Sequence, residues 1–216
     1  MRAPVPVLAL AGALVAALAP ASAGAACPNV AVALTALPAG AARSAVLCSI
    51  NAQRGAAGAR AVTLERHLQR AARGHAADMV ARRFFAHLSP DGRTLAQRVR
   101  AAGYMRSTTR WRLGEAIAWA PLPVSSAAAL TQAWMGSRPH RSILLDRRFR
   151  ELGIGLAAGV PDVSAGPGIT AVLDFGRRTL RRSLRAWRSR TACARTARKS
   201  SPRRARCAST STRSKR

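Results

Sequence analysis

The stretch "RRFFAHLSPDGRTLAQRV", Arg82–Val99, holds the end of one element, a reversal, and the start of another. Ahead of it, Leu64, Leu68, Ala71, Ala72, His75 and Met79 fall on one face at helical spacing. The pattern predicts a helix capped by Thr63, with Glu65 in its first turn, running to about Phe85. Ser89-Pro90-Asp91-Gly92 is a turn signal, because proline presets its own backbone angle and glycine tolerates the exit. Thr94 and Gln97 then have the spacing of a capping box for a helix over Leu95 to Ala102, closed by Gly103. His87 sits between a hydrophobic pair and the turn. Either it finishes the first helix, with Phe84 and Phe85 buried below it, or it faces a cleft and carries chemistry.

Upstream, Val46, Leu47 and Ile50 fit a helix over Ala42 to Ala56, ended by Gly55 and Gly58. Downstream, "LGEAIAWA" reads as a strand stopped by Pro121 and Pro123. Ser125 or Ser126 caps a long helix through Trp134 and Met135, and Pro139 opens a short one, "HRSILL". Two strands follow, "ELGIGLAAG" and "GITAVLDFG", joined by the hairpin-like "VPDVSAGPG". Helices come first, then a strand, a helix and an antiparallel pair. Segregation of this kind points to an α+β fold, a sheet covered by helices.

The ends are made of different material. Residues 177–216 hold 16 of the 36 Lys and Arg and no acid, so the first 176 residues carry only 20 basic against 8 acidic groups. "RRTLRRSLRAWRSR" places Leu180, Leu184 and Trp187 on one face of an Arg-rich helix, which suits an anionic polymer, a nucleic acid or a membrane surface. The alternatives are a disordered tail or an out-of-frame extension. At the other end, Arg2, the apolar run "VPVLALAGALVAALA" and the small residues of "PASAGAAC" read as an export signal over residues 1–26, cleaved after Ala23 or Ala26, the alternative being an uncleaved membrane anchor. The apolar run has 15 residues, short of the ~20 that span a bilayer. Export makes the cysteines disulfide-permissive. A Cys27–Cys48 bridge would tie the segment 27–41 to the first helix, while Cys193 and Cys207 pair together or stay free. No CxxC occurs and the cysteine spacing fits no zinc motif, while the absence of GxSxG and HExxH disfavours a nucleophile-elbow hydrolase and a zinc protease.

In order along the chain stand "LCSINAQRGAAG", "HAADMVARRFFAHLSPDG", "RVRAAGY", "GEAIAWA", "AWMGSRPHRSILL", "ELGIGLA" and "LDFG". Together they resemble the CAP superfamily (cysteine-rich secretory proteins, antigen 5 and pathogenesis-related 1, or SCP domains) in its bacterial secreted branch. The resemblance covers residues 48–176, within a domain placed at 42–176, and implies an α-β-α sandwich with a small central sheet. It also implies a cleft of His and acidic residues that can hold a divalent metal such as zinc. His87 matches the first family histidine and Glu115 the glutamate of the Gly-Glu-Asn motif. His140 and Arg141 match the bacterial Ser-Pro-x-His-Arg motif, and Asp174 an acid of the closing strand. Departures are Ala116 and Ile143 where asparagines are usual, and Leu173 where glutamine is.

From these residues, His87, Glu115 and His140 are the catalytic candidates, with His87 and Glu115 doubling as metal ligands. A carboxylate beside a histidine fixes its tautomer and favours the imidazolium. The bland reading of Glu115 is a buried carboxylate bonded to backbone amides. Arg141 and Asp174 are ligand-binding candidates, with Arg141 also a natural ion-pair partner for Asp174 or Glu151. His75 reads as a satisfied core histidine and His67 as exposed. The functional expectation is a secreted or cell-envelope protein whose cleft binds a cell-wall, lipid or small-molecule ligand, or a metal. The alternatives are a hydrolase acting on peptides or wall material, and a cationic binder acting through the tail.

Overall fold

The computed structural model describes residues 27–106 and 108–180. Residues 1–26, read above as an export signal, and the tail beyond Leu180, with Leu184, Trp187, Cys193 and Cys207, lie outside the described residues.

The described residues form five α-helices and four strands in the order α1 (Ala39–Ala56), β1 (Thr63–Leu64), α2 (Arg66–Arg82), α3 (Leu95–Ala101), β2 (Thr108–Pro121), α4 (Ala127–Gly136), α5 (Arg138–Leu144), β3 (Glu151–Ala158) and β4 (Gly168–Leu180). The sheet order is β1-β3-β4-β2, with β1 parallel to β3 and the other pairs antiparallel. This is the expected α+β sandwich.

The layers follow from strand periodicity. Along β4, Ile169, Ala171, Leu173 and Phe175 face a core built with Val46 and Ile50 of α1, Leu130 and Trp134 of α4, and Leu144 of α5. The alternate residue Val172 packs with Ala72, Ala76 and Met79 of α2 on the opposite face. Val99 of α3 and Tyr104 pack there against Leu68. Helix α2 lies directly on the backbone of β3. A Cβ at Gly153 would fall 2.1 Å from the Leu68 carbonyl carbon, and one at Gly155 2.2 Å from that of Ala72. The two glycines of "ELGIGLA" are the seat of this helix.

Three local expectations shift. Thr63 is drawn into β1, opposite Glu151, so the cap of α2 passes to Glu65, whose Oε2 accepts from the amides of His67 (2.8 Å) and Leu68 (2.9 Å). The helix stops at Arg82, not near Phe85, because Arg83 turns left-handed (φ 54°) and its amide returns to Met79 O. Phe84 is then half-buried and Phe85 exposed, rather than both packed below His87. The capping box at Thr94 and Gln97 forms in both directions.

The closing strand also runs further than "LDFG". Arg177, Arg178, Thr179 and Leu180 continue β4 against Arg112, Trp111, Arg110 and Thr108. Arg178 donates to Glu65 Oε1 at 3.0 Å and Tyr104 O at 2.7 Å, lies 3.5 Å from Glu151 Oε1, and stacks 4.3 Å from the Tyr104 ring centroid. The first residues assigned to the basic tail thus belong to the domain.

Two further ties hold the α1 layer. Cys27 and Cys48 form a disulfide with Cα atoms 5.6 Å apart. Arg54, fully buried in α1, donates to four carbonyls: Arg60 O (2.9 Å), Leu144 O (2.5 Å), Asp146 O (3.2 Å) and Phe149 O (3.5 Å). It fastens the α5–β3 connection to α1. No described helix is long and apolar enough to cross a membrane.

Candidate functional site

Glu115 lies midway along β2, on the sheet face that meets α2 and α3. Its side chain is 3% exposed. Oε1 accepts from His87 Nδ1 at 2.8 Å, and Oε2 from Arg98 Nη2 at 2.6 Å. The bland reading, a carboxylate satisfied by backbone amides, is therefore replaced by two cationic side chains. Arg98 also donates through Nη1 to His87 O (2.8 Å) and Arg93 O (3.0 Å). One guanidinium thus neutralises Glu115 and pins both sides of the Ser-Pro-Asp-Gly turn, at His87 and at Arg93.

The hydrogen bond to Glu115 fixes the proton of His87 on Nδ1 and leaves Nε2 for a ligand or a proton. The His87 side chain is 58% exposed, so the free nitrogen belongs to a group that solvent reaches. Its pKa is raised, first by the Glu115 hydrogen bond, against partial burial and the charge of Arg98. For Glu115, burial opposes ionisation. The His87 hydrogen bond and the Arg98 charge outweigh it and hold the carboxyl below its usual range.

Asp174 stands directly opposite Glu115 in the β2–β4 ladder and is fully buried. As a carboxylate it would have no donor for either oxygen. Burial, and then the charge of Glu115, push its pKa well above the usual carboxylate range. Burial and the neighbouring Glu115 charge thus favour the neutral form of Asp174 beside an ionised Glu115. Arg141 does not supply the expected partner. It is exposed and caps Met135 O with Nε at 2.6 Å. Glu151 is bonded instead to Tyr104 Oη and faces Arg178.

His140 comes from α5, on the other side of the sheet, yet it senses the His87 charge. Burial, then His87, lower its pKa. The chain therefore brings His87, Glu115 and Asp174 together, with His140 linked only through the charge of His87, and leaves Arg141 out. The departures at Ala116 and Leu173 do not strip this face. Both side chains alternate away from Glu115 and Asp174 and fill the α1–α4 core.

Sequence reasoning gave Arg98 no role, though a signal was present. Leu95, Arg98, Val99 and Ala102 form the inner stripe of α3, so a guanidinium occupies a core position, where a charge requires a partner. His67 is also better held than its expected exposure suggests, with Nδ1 2.7 Å from Ala102 O.

As a metal centre the site is incomplete. Among the described residues no group of three or more His, Cys, Asp and Glu is gathered as ligands. Both Glu115 oxygens already accept from cationic donors, leaving His87 Nε2 and His140 as nitrogen donors. Catalytic zinc sites use three protein ligands.

The comparisons fit this architecture. The sequence profile of the cysteine-rich secretory protein family, CAP, matches residues 47–165. An extracellular protein of Bacillus anthracis containing an SCP domain superposes with a TM-score of 0.50 at 24% identity, over 65% of this chain and 44% of that one. The present chain thus spans less than half of that protein's length. An outer surface protein of Borrelia burgdorferi gives a TM-score of 0.52 at 20% identity, over 66% of this chain and 97% of its own. A search of curated proteins gives no match. With more than half of its length matched by the family profile, and the sandwich fold in place, this chain belongs to the cysteine-rich secretory protein (CAP) family.

Proposed function

We propose that this chain is a secreted or envelope-associated binding protein whose ligand is held at His87 and His140. The observation that carries the reading is the His87–Glu115 bond of 2.8 Å, which orients one imidazole and keeps its Nε2 available. Below its raised pKa, His87 presents a cationic N–H, suited to a carboxylate or carbonyl of a cell-wall, lipid or small-molecule ligand. An outside location is supported by the two structural neighbours, described as extracellular and outer-surface proteins, and by the Cys27–Cys48 disulfide. The basic segment beyond Leu180 would add attraction to an anionic polymer or membrane surface.

A hydrolase reading has one observation in its favour. His87 backed by Glu115 is a histidine–carboxylate dyad, able to take a proton from water at Nε2 while Glu115 stabilises the imidazolium. No described hydroxyl or thiol is hydrogen-bonded to His87, so the dyad would act on water and not on a side-chain nucleophile. Zinc fits less well, since Glu115 is engaged and two imidazoles are short of a complete set.

The test uses the exported chain, wild type and His87→Ala, titrated with wall-derived peptides, acidic glycans and zinc while histidine resonances are followed. Saturable shifts at His87 and His140, lost in the variant, support the binding reading. Turnover of wall peptide, lost in the variant, moves the assignment to a hydrolase. Unchanged binding in His87→Ala removes the site from both.

A further inference from the structure

The edge of the sheet opposite β2 and its Glu115 is only partly covered. Strand β1 pairs with β3 at Glu151 and Leu152 alone, where Glu65 N donates to Leu152 O at 2.9 Å. The next outward carbonyl, Ile154 O, takes the side-chain amide of Gln69 at 2.8 Å. In an antiparallel pair every second residue turns both its amide and its carbonyl away from the partner strand. Leu156 and Ala158 continue the outward set of Leu152 and Ile154, and no described strand lies against them. Leu156 is half-buried and Ala158 exposed, so an incoming chain reaches this stretch.

A cavity of about 260 Å³ adjoins the same edge, between α1 and α2. Ile154, Leu156 and Ala158 line it together with the apolar Leu34, Leu37 and Ile169. Its volume falls short of the ~300–1,000 Å³ of small-molecule sites, and suits side chains of a larger partner.

The charge of the lining is all of one sign. Arg43 of α1 and Arg73 of α2 are present and no carboxylate is. Arg43 is half-buried and Arg73 exposed, and neither has a hydrogen-bond or ion-pair partner among the described residues. The chain's own residues beyond 180 do not fit this site. They bring no acidic side chain, and Leu180 leaves the sheet beside Thr108 of β2, at the opposite edge. The occupant comes from another molecule.

We propose that the open edge of β3 binds an extended acidic peptide, which adds a short strand to the sheet at Leu156 and Ala158. Main-chain hydrogen bonds supply the register, and alternate side chains supply the specificity. Successive side chains of such a strand point to opposite faces of the sheet. The apolar set enters the cavity on the α1 side, and the acidic set meets Arg73 on the α2 side. Arg43 adds to the attraction. The site is distinct from His87 and does not depend on it.

The probe is the peptide acetyl-EVEVE-amide, titrated into the isotopically labelled chain. Its controls are acetyl-KVKVK-amide (charge reversed), the acidic peptide N-methylated at every residue (no main-chain donors) and octanoate (an acyl chain and a carboxylate without a peptide backbone). The expected result is saturable shifts at the amides of Leu156 and Ala158, slowed hydrogen exchange of the Leu156 amide, and at least tenfold weaker binding of each control. Arg73→Glu changes an exposed residue without a described partner and is expected to weaken the acidic peptide at least tenfold with the fold intact. Arg43→Gln is expected to weaken it by a smaller factor. No binding of the acidic peptide, equal binding of the basic or N-methylated peptide, or full affinity in Arg73→Glu overturns the proposal. Octanoate binding as tightly as the peptide overturns it as well, and assigns the cavity to an acyl chain.

Discussion

Glu115 of β2 and Asp174 of β4 face each other across the antiparallel ladder, on the buried side of the sheet, where burial and the charge of Glu115 favour the neutral form of Asp174. Around that charge stand Arg98, which is fixed, and His87, which titrates. Glu115 and Arg98 compensate each other, so the cluster is neutral when His87 is neutral and carries one positive charge when His87 is protonated. The site thus presents either an acceptor or a cationic donor at the same nitrogen.

Asp174→Asn keeps the shape and hydrogen-bonding capacity of a protonated Asp174 without its proton requirement. The folded-state pKa of Asp174 lies above the unfolded value. Its contribution is therefore full below the ordinary carboxylate range and is lost as pH rises through the folded pKa. Asp174→Asn is expected to flatten that decline, so its stability relative to wild type rises with pH. Chemical denaturation from pH 4 upward measures it, and parallel curves would mean that Asp174 is ionised in the fold.

Glu115→Gln removes the first cause of the raised His87 pKa and leaves burial and Arg98, which both lower it. The His87 titration midpoint is expected to fall below its ordinary value. In wild type, the raised pKa gives stability that is full below the unfolded histidine value and lost as pH climbs through the folded one. That slope should vanish or reverse in the variant. Imidazole NMR titration reads the midpoint directly, and an unmoved midpoint contradicts the hydrogen-bonded dyad.

Arg98→Leu leaves Glu115 buried beside a protonatable neighbour and frees the carbonyls of His87 and Arg93. Breaking a buried ion pair from one side costs ~3–5 kcal/mol. Arg98→Lys is expected to recover only part of that, since an ammonium does not reproduce a planar fork that reaches a carboxylate and two carbonyls. Denaturant midpoints measure both, and full recovery by lysine would mean that charge alone matters.

Truncation after Gly176 removes Arg178, with its bonds to Glu65 and Tyr104 O and its stacking on Tyr104. Charge-assisted hydrogen bonds of this kind contribute ~1.5–3 kcal/mol, so this truncation is expected to lower the melting temperature by several degrees. Truncation after Leu180 keeps these contacts and should melt with the full chain. Equal melting of both truncations would place the domain boundary at Gly176 after all.

Reducing the Cys27–Cys48 bridge opens a loop of sequence separation 21. Loop closure of that length is worth ~3 kcal/mol, and the loss should appear as a lower denaturant midpoint with little change in the α2–sheet face. A midpoint unchanged by reductant would remove the bridge from the stability of the fold.

The residues themselves determined the local elements. The Thr94–Gln97 box, the Ser-Pro-Asp-Gly turn and the period of α2 and β4 are short-range chemistry, readable because propensity and patterning act over a few residues. Motif order supplied the family, and with it His87, Glu115 and His140. Tertiary structure decided everything that depended on which distant groups meet. Thr63 lost its cap role because a strand edge needed it. Asp174 found Glu115 instead of Arg141 because cross-strand register, not charge complementarity, placed it. Arg98 and Arg178 became the organising cations because each sits where several acceptors converge. Buried polar groups are satisfied by neighbours in space, and a sequence does not list those neighbours in order.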